Sequence, residues 1–79
     1  MPDKVEMPTE SRMKRLRVGD KASWTNFDEH PPTHWEGEIK KFTNVEGTYL
    51  EIDLTHTDAN GKETSITKEL TEDDVTRIG

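Results

Sequence analysis

The residues most capable of chemistry lie together at positions 28–34, in the segment DEHPPTH. Asp28, Glu29, His30 and His34 carry carboxylate and imidazole groups, which are ligands that divalent metal ions accept. Two histidines four residues apart would share one face of a helix, but the two prolines between them exclude a helix here. The segment therefore predicts a solvated loop, and we expect no metal site.

The remaining polar residues do not indicate catalysis. The chain has no cysteine, so thiolate zinc sites, disulfides and cysteine nucleophiles are excluded. Neither a nucleophile–histidine–acid set nor a glycine-rich phosphate loop is readable in the sequence. The 17 acidic residues allow so many carboxylate pairs that no single pair is informative. We expect a protein that is not an enzyme and that binds no cofactor.

The loop and any site in it must be positioned by β-strands. Residues 48–57, TYLEIDLTHT, alternate so that Leu50, Ile52 and Leu54 share one face, which is typical of a half-buried antiparallel strand. This strand lies between two four-residue turns of the same form, NVEG at 44–47 and DANG at 58–61. Asn or Asp at the first position and Gly at the last predict type I turns closed by a left-handed glycine.

These turns set the register of a three-stranded meander. They predict that Phe42 lies opposite Leu50, Leu50 opposite Leu70 and Leu54 opposite Ile66, with all five side chains facing inward. A two-residue turn at 60–61 is the alternative, but it would move Ile66 to the other face.

The other elements follow from similar patterns. In chain order, the sequence predicts a first strand over 15–25 that bends at Gly19, a loop over 26–33, a second strand over 34–43 with a bulge near 40–41, a fourth strand over 62–70, one 3₁₀ turn pinned to the core by Val75, and a very short last strand.

Charge is distributed unevenly along this single-domain chain of 79 residues, whose net charge is −6. Residues 1–21 hold six Lys and Arg against four acids, whereas residues 22–79 hold five against thirteen. The folded part should therefore repel nucleic acid. No apolar run approaches the roughly 20 residues of a membrane span, so we expect a cytoplasmic protein without membrane contact.

The N-terminal segment is predicted to be separate from the domain. Residues 1–13 have two prolines and no apolar period, which predicts a disordered tail before a domain over 14–79; the alternative is a short helix over 9–16. The basic residues Arg12, Lys14, Arg15 and Arg17 are interpreted as a solubilising flank. The alternative is that they contact nucleic acid or an acidic partner.

Three segments resemble the SH3-like small barrels, and among them the Tudor and KOW-type domains. They are VGDKASW at 18–24, WEGEI at 35–39 and EDDVTRI at 72–78. The resemblance covers about residues 15–79 and implies an all-β fold, a five-stranded SH3-like small barrel with a 3₁₀ turn before the last strand. It also implies binding of a protein or peptide through a loop and an aromatic rim, and in Tudor-like domains rings attract cations.

We therefore expect a non-catalytic binding or adaptor module that is a monomer or a weak homodimer. The alternative for the aromatic residues is that both tryptophans lie in the core and that Phe27 closes an open end. An alternative function is an acidic inhibitor that mimics DNA phosphates through a sheet face formed by Glu36, Glu38, Glu51 and Asp53. Glu72, Asp73 and Asp74 would lie at the edge of this face. The expected partner-binding residues are Trp24, Phe27, Asp28, Glu29, His30, His34, Trp35 and Tyr49.

Overall fold

The computed structural model describes residues 6–78 and contains five strands and one 3₁₀ turn. All strand pairs are antiparallel, and the strand order in the sheet is β4-β3-β2-β1-β5. The predicted all-β class, strand number and 3₁₀ turn are confirmed. The elements are β1 Lys21–Asn26, β2 Thr33–Phe42, β3 Tyr49–Thr57, β4 Glu63–Thr71, the 3₁₀ turn Glu72–Asp74 and β5 Thr76–Arg77.

The sheet is open, with β4 at one edge and β5 at the other. Within residues 6–78 the two edge strands do not pair with each other, so a closed barrel is not confirmed. The part of the resemblance that the structure supports is a small all-β domain with a five-stranded antiparallel sheet.

The register of the meander is as predicted. Phe42 pairs with Leu50, Leu50 with Leu70, and Leu54 with Ile66. The predicted bulge in β2 is present, because the pairing with β3 shifts between Ile39 and Lys41. The bulge allows both Ile39 and Phe42 to be buried although they are three residues apart.

Both turns close on a glycine in the left-handed region, with φ of 73° at Gly47 and 81° at Gly61. The Gly47 N–H donates to the Asn44 carbonyl at 3.2 Å, and the Gly61 N–H donates to the Asp58 carbonyl at 3.0 Å. These bonds confirm the four-residue turns and exclude the two-residue alternative.

One thin hydrophobic core lies on the inner face of the sheet. Val75 is fully buried, as predicted, and pins the chain between the 3₁₀ turn and β5 to the core. The other buried hydrophobic residues are Leu16, Ala22, Trp35, Ile39, Phe42, Leu50, Ile52, Leu54 and Leu70.

The prediction that Ile66 is a core residue is wrong. Ile66 pairs with Leu54 as expected, but it keeps 36% of its surface exposed. Thr64 and Lys68, which share its face, are also exposed. Because the sheet does not close, this part of the edge strand β4 stays uncovered, and only Leu70 is buried there.

The prediction that the first strand begins at residue 15 is also wrong. The Asp20 N–H donates to the Arg17 carbonyl at 3.0 Å, and the Arg17 N–H donates to Asp20 Oδ2 at 3.0 Å. These bonds close a turn before β1, which leaves Val18 exposed instead of in phase with Ala22. Leu16, by contrast, is buried as its parity suggested.

Residues that precede the predicted domain boundary at residue 14 contact the turn between β2 and β3. The Arg12 N–H donates to the Gly47 carbonyl at 2.9 Å, and Ser11 is buried. Residues 12–14 form a turn, Glu10 forms an isolated antiparallel bridge with Arg17, and the alternative helix over 9–16 is absent. The first five residues of the predicted tail lie outside the described residues.

Candidate functional site

An open groove of about 490 Å³ brings part of the predicted site together with the 3₁₀ turn. We call it the aromatic–acidic groove. One wall is the end of β1 and the start of the following loop, and the other is the 3₁₀ turn with the first residue of β5. Its lining residues are Trp24, Thr25, Asn26, Phe27, Asp28, Asp73, Asp74 and Thr76.

The two tryptophans occupy different positions relative to this groove. They lie opposite each other on β1 and β2, with ring centroids 6.5 Å apart and planes tilted by 38°. Trp35 is a core residue, and its Nε1 donates to Thr33 Oγ1 at 3.0 Å. Trp24 is only partly buried and lines the groove wall. The pair therefore joins the core to the site.

Side-chain hydrogen bonds hold the loop that follows β1. Asn26 Oδ1 accepts the Asp28 N–H at 3.0 Å, which is an Asx turn. Glu29 Oε1 accepts from Asn26 Nδ2 at 3.1 Å and from Thr33 Oγ1 at 2.7 Å, so it ties the two ends of the loop together. Within this braced loop Phe27 is 73% exposed. A large apolar side chain held in water is a candidate contact for a partner.

The opposite wall is fixed by the cap of the 3₁₀ turn. Asp74 Oδ2 accepts from the Thr71 N–H at 3.1 Å and from Thr71 Oγ1 at 2.9 Å. Val75, the residue after Asp74, is held in place by its burial in the core. Asp73 is exposed at the groove, because its neighbours Asp74 and Val75 make these anchoring contacts.

The chemistry of the groove favours a cation. Three carboxylates, from Asp28, Asp73 and Asp74, line the groove together with the rings of Trp24 and Phe27, and none of the described lining residues is basic. Aromatic faces and carboxylates both attract Lys and Arg side chains.

The chain itself supplies one example of this attraction. Lys68 Nζ lies 5.2 Å from the centroid of the Trp24 ring, within the usual range of a cation–π contact. Lys68 belongs to the edge strand β4 and Trp24 to β1, so the contact spans the inner face of the open sheet.

Five predicted site residues do not line the groove, and one of them is the core residue Trp35. Glu29 is part of the loop brace, and His30 is exposed in the loop. His34 Nε2 lies 3.1 Å from Glu36 Oε2, with both side chains exposed on β2. Tyr49 is exposed at the start of β3, opposite Thr71, and is absent from the groove walls.

Sequence reasoning missed the contribution of Asp73 and Asp74 to this site. The pairing of β5 with β1 places the 3₁₀ turn beside the loop, because Thr76 pairs with Ser23. A prediction that β5 pairs with β1 would have placed Asp73 and Asp74 beside the loop. The ring centroid of His56 lies 5.1 Å from that of Trp35, but His56 does not line the groove.

The predicted acidic face carries mixed charge. Glu38 and Asp53 are directly opposite each other, but Lys40 Nζ lies 3.7 Å from Asp53 Oδ2. Lys41 Nζ lies 3.9 Å from Glu51 Oε2. These cations interrupt the carboxylates, so the face does not favour phosphate mimicry.

The basic cluster lies on a short loop at the N-terminal end of the domain. Arg17 Nε donates to Glu10 Oε2 at 2.9 Å, and this hydrogen bond raises the pKa of Arg17 above its ordinary value. Lys14 Nζ donates to the Val75 carbonyl at 3.3 Å. Arg12 and Arg15 are exposed.

Among residues 6–78 no group of three or more His, Asp or Glu residues lies close enough to hold a metal ion. No helix in that part of the chain has the length and apolarity that crossing a membrane requires. Comparison with known proteins returns no family model, no curated protein and no solved structure that matches the chain.

Proposed function

We propose that this protein is a small non-catalytic binding module that recognises a protein or peptide partner through the loop after β1 and its aromatic rim. Its working surface in this proposal is the aromatic–acidic groove. The fold proposed for it is an SH3-like small barrel left open between β4 and β5.

The observation that carries the proposal is the composition of the groove. Phe27 is displayed on a braced loop, which limits the entropy lost on binding. The facing carboxylates of Asp28 and Asp73 favour a partner segment with at least one Lys or Arg. A cation–π contact contributes about 0.5–1 kcal/mol at an exposed site, and an exposed ion pair contributes about 0.2–1 kcal/mol. Binding by one such residue is therefore weak, and the partner needs several contacts.

The test measures binding of a fluorescein-labelled Gly/Ser/Pro peptide that carries two arginines, by fluorescence anisotropy. Phe27→Ala should weaken binding about fivefold, and the double variant Asp28→Asn with Asp73→Asn should weaken it by a similar factor. Asp74 is left unchanged because it caps the 3₁₀ turn.

Two controls match these changes outside the groove. Tyr49→Ala removes an exposed aromatic ring, and Glu46→Gln with Glu69→Gln removes two exposed carboxylates. Neither should change the affinity by more than about twofold. If Tyr49→Ala abolishes binding while the groove variants bind normally, the site lies elsewhere and the proposal is wrong.

A further inference from the structure

A second surface lies at the N-terminal end of the domain, at a loop formed by residues 12–15, which we call the basic loop. The Arg12 N–H donates to the Gly47 carbonyl at 2.9 Å. The Met13 and Lys14 N–H groups both donate to Glu72 Oε1, at 2.8 and 3.0 Å. The N–H groups of residues 12–14 therefore point toward the domain and have acceptors there.

The anchor of this loop is a buried acid. Glu72 is only 3% exposed, and among the described residues its Oε2 has no hydrogen-bond partner. Arg15 adopts φ of 56°, a region that residues other than glycine rarely occupy. The surrounding contacts thus hold the loop in one shape.

The anchoring leaves the side chains of the loop largely exposed, although Lys14 Nζ donates to the Val75 carbonyl at 3.3 Å. Arg12, Lys14 and Arg15 are exposed, and Met13 is 76% exposed between them. The loop therefore presents one apolar side chain among three cations, whereas the aromatic–acidic groove presents aromatic rings among carboxylates.

We infer that the basic loop is a second binding surface and that it takes a short acidic peptide segment with an apolar residue between its carboxylates. Arg side chains form paired hydrogen bonds with carboxylates. The flexible thioether of Met13 suits an aliphatic side chain of the peptide. The inference goes beyond the proposed function, because it makes the protein an adaptor between a basic and an acidic segment.

The same observations disfavour nucleic acid as the occupant. The loop has no aromatic ring on which a base would stack. Glu46 is exposed beside Gly47, and residues 22–79 carry thirteen acids against five basic residues. A polyanion longer than the loop would extend over the rest of the domain, whose net negative charge repels it. A segment with a few carboxylates fits on the loop alone.

The test measures anisotropy of a labelled peptide that has two aspartates on each side of a leucine, at physiological salt. The double variant Arg12→Glu with Arg15→Glu should bind about tenfold more weakly, because each change replaces an attraction by a repulsion. The matched control, Lys21→Glu with Lys62→Glu, makes the same change of net charge away from the loop and should stay within about twofold.

Two further arms separate the outcomes. Phe27→Ala should leave binding of the acidic peptide unchanged, so failure of the groove proposal and failure of this inference are distinguishable. NMR titration of the unaltered protein should move the amide signals of residues 12–15. Equal weakening by the two double variants, a titration that leaves these signals in place, or tighter binding of a ten-nucleotide thymidine strand than of the peptide would overturn the inference.

Discussion

The two hairpin turns of the meander have the same sequence form and nearly the same backbone, but they lie in different surroundings. A Cβ atom added to Gly47 would lie 3.0 Å from the Glu10 carbonyl oxygen and 3.2 Å from the Arg12 nitrogen. A Cβ atom added to Gly61 would have no atom within 4 Å among the described residues. The N-terminal segment covers the first turn and leaves the second open.

The same contrast divides β4. Leu70, on the side of the covered turn, is 7% exposed, whereas Ile66, on the side of the open turn, is 36% exposed. The loop that carries Phe27 follows β1 on the open side. Local chemistry sets the conformation of both turns, whereas coverage by a distant segment sets how much each turn contributes to stability. The N-terminal segment adds contacts at the covered end, although its own side chains at 12–15 stay exposed there, and the open end leaves Phe27 exposed.

The largest expected effect contrasts the two glycines. Gly47→Val should lower the free energy of unfolding by about 3 kcal/mol, because strain at positive φ adds to a steric clash. Gly61→Val should cost about 1–2 kcal/mol from strain alone. Urea unfolding followed by tryptophan fluorescence measures both. Equal losses of unfolding free energy would show that coverage by the N-terminal segment adds nothing to the cost of substitution at Gly47.

The next contrast uses the two apolar residues of β4. Leu70→Ala should cost about 2–3 kcal/mol through lost burial and the cavity left behind. Ile66→Ala should cost less than about 1 kcal/mol, because part of its surface is already in water. If denaturation shows Ile66→Ala to be as harmful as Leu70→Ala, then something covers this face in solution.

A smaller effect tests how the N-terminal segment is held at the covered end. Glu72→Ala leaves the Met13 and Lys14 N–H groups without their acceptor and should cost about 1–2 kcal/mol. Glu72→Gln keeps an acceptor oxygen and should cost less than half of this. Hydrogen exchange of the two amides should accelerate only in the alanine variant. Unchanged exchange in that variant would show that Glu72 does not anchor the loop.

The smallest effect concerns the contact across the open sheet. Lys68→Met removes the cation from the Trp24 ring and should cost about 0.5 kcal/mol. Lys62→Met, in the exposed turn, serves as the matched control and should have no measurable effect. Thermal melting compares the two. Equal melting temperatures for the two variants would show that the cation–π contact does not stabilise the link between β4 and β1.

Much of the fold was predictable because it depends on neighbouring residues. Alternation of apolar residues located β3, and the four-residue turns NVEG and DANG set its register. The phase change between Ile39 and Phe42 revealed the bulge. Coverage was not predictable, because it depends on where distant segments pack. Parity placed Ile66 on the correct face but cannot state whether anything lies above that face. Nor does the sequence show that Ser11 is buried, because Ser11 belongs to a segment with no apolar period.

The site was predictable only in part for the same reason. The loop rich in proline and acids marked Phe27 and Asp28, and strand parity marked Trp24. Asp73 joins them only through the pairing of β5 with β1, a contact between the two ends of the chain. The role of Glu29 as a loop brace required side-chain geometry, whereas the alternative that Trp35 lies in the core was already open from the sequence.

An NMR titration of the ¹⁵N-labelled protein with the two-arginine peptide tests the central claim most directly. We expect the amide signals of residues 24–28 and 73–76 to shift together, while those of residues 44–49 at the covered turn stay in place. Shifts confined to residues 44–49, or no shifts at peptide concentrations in the millimolar range, would show that the aromatic–acidic groove is not the binding surface.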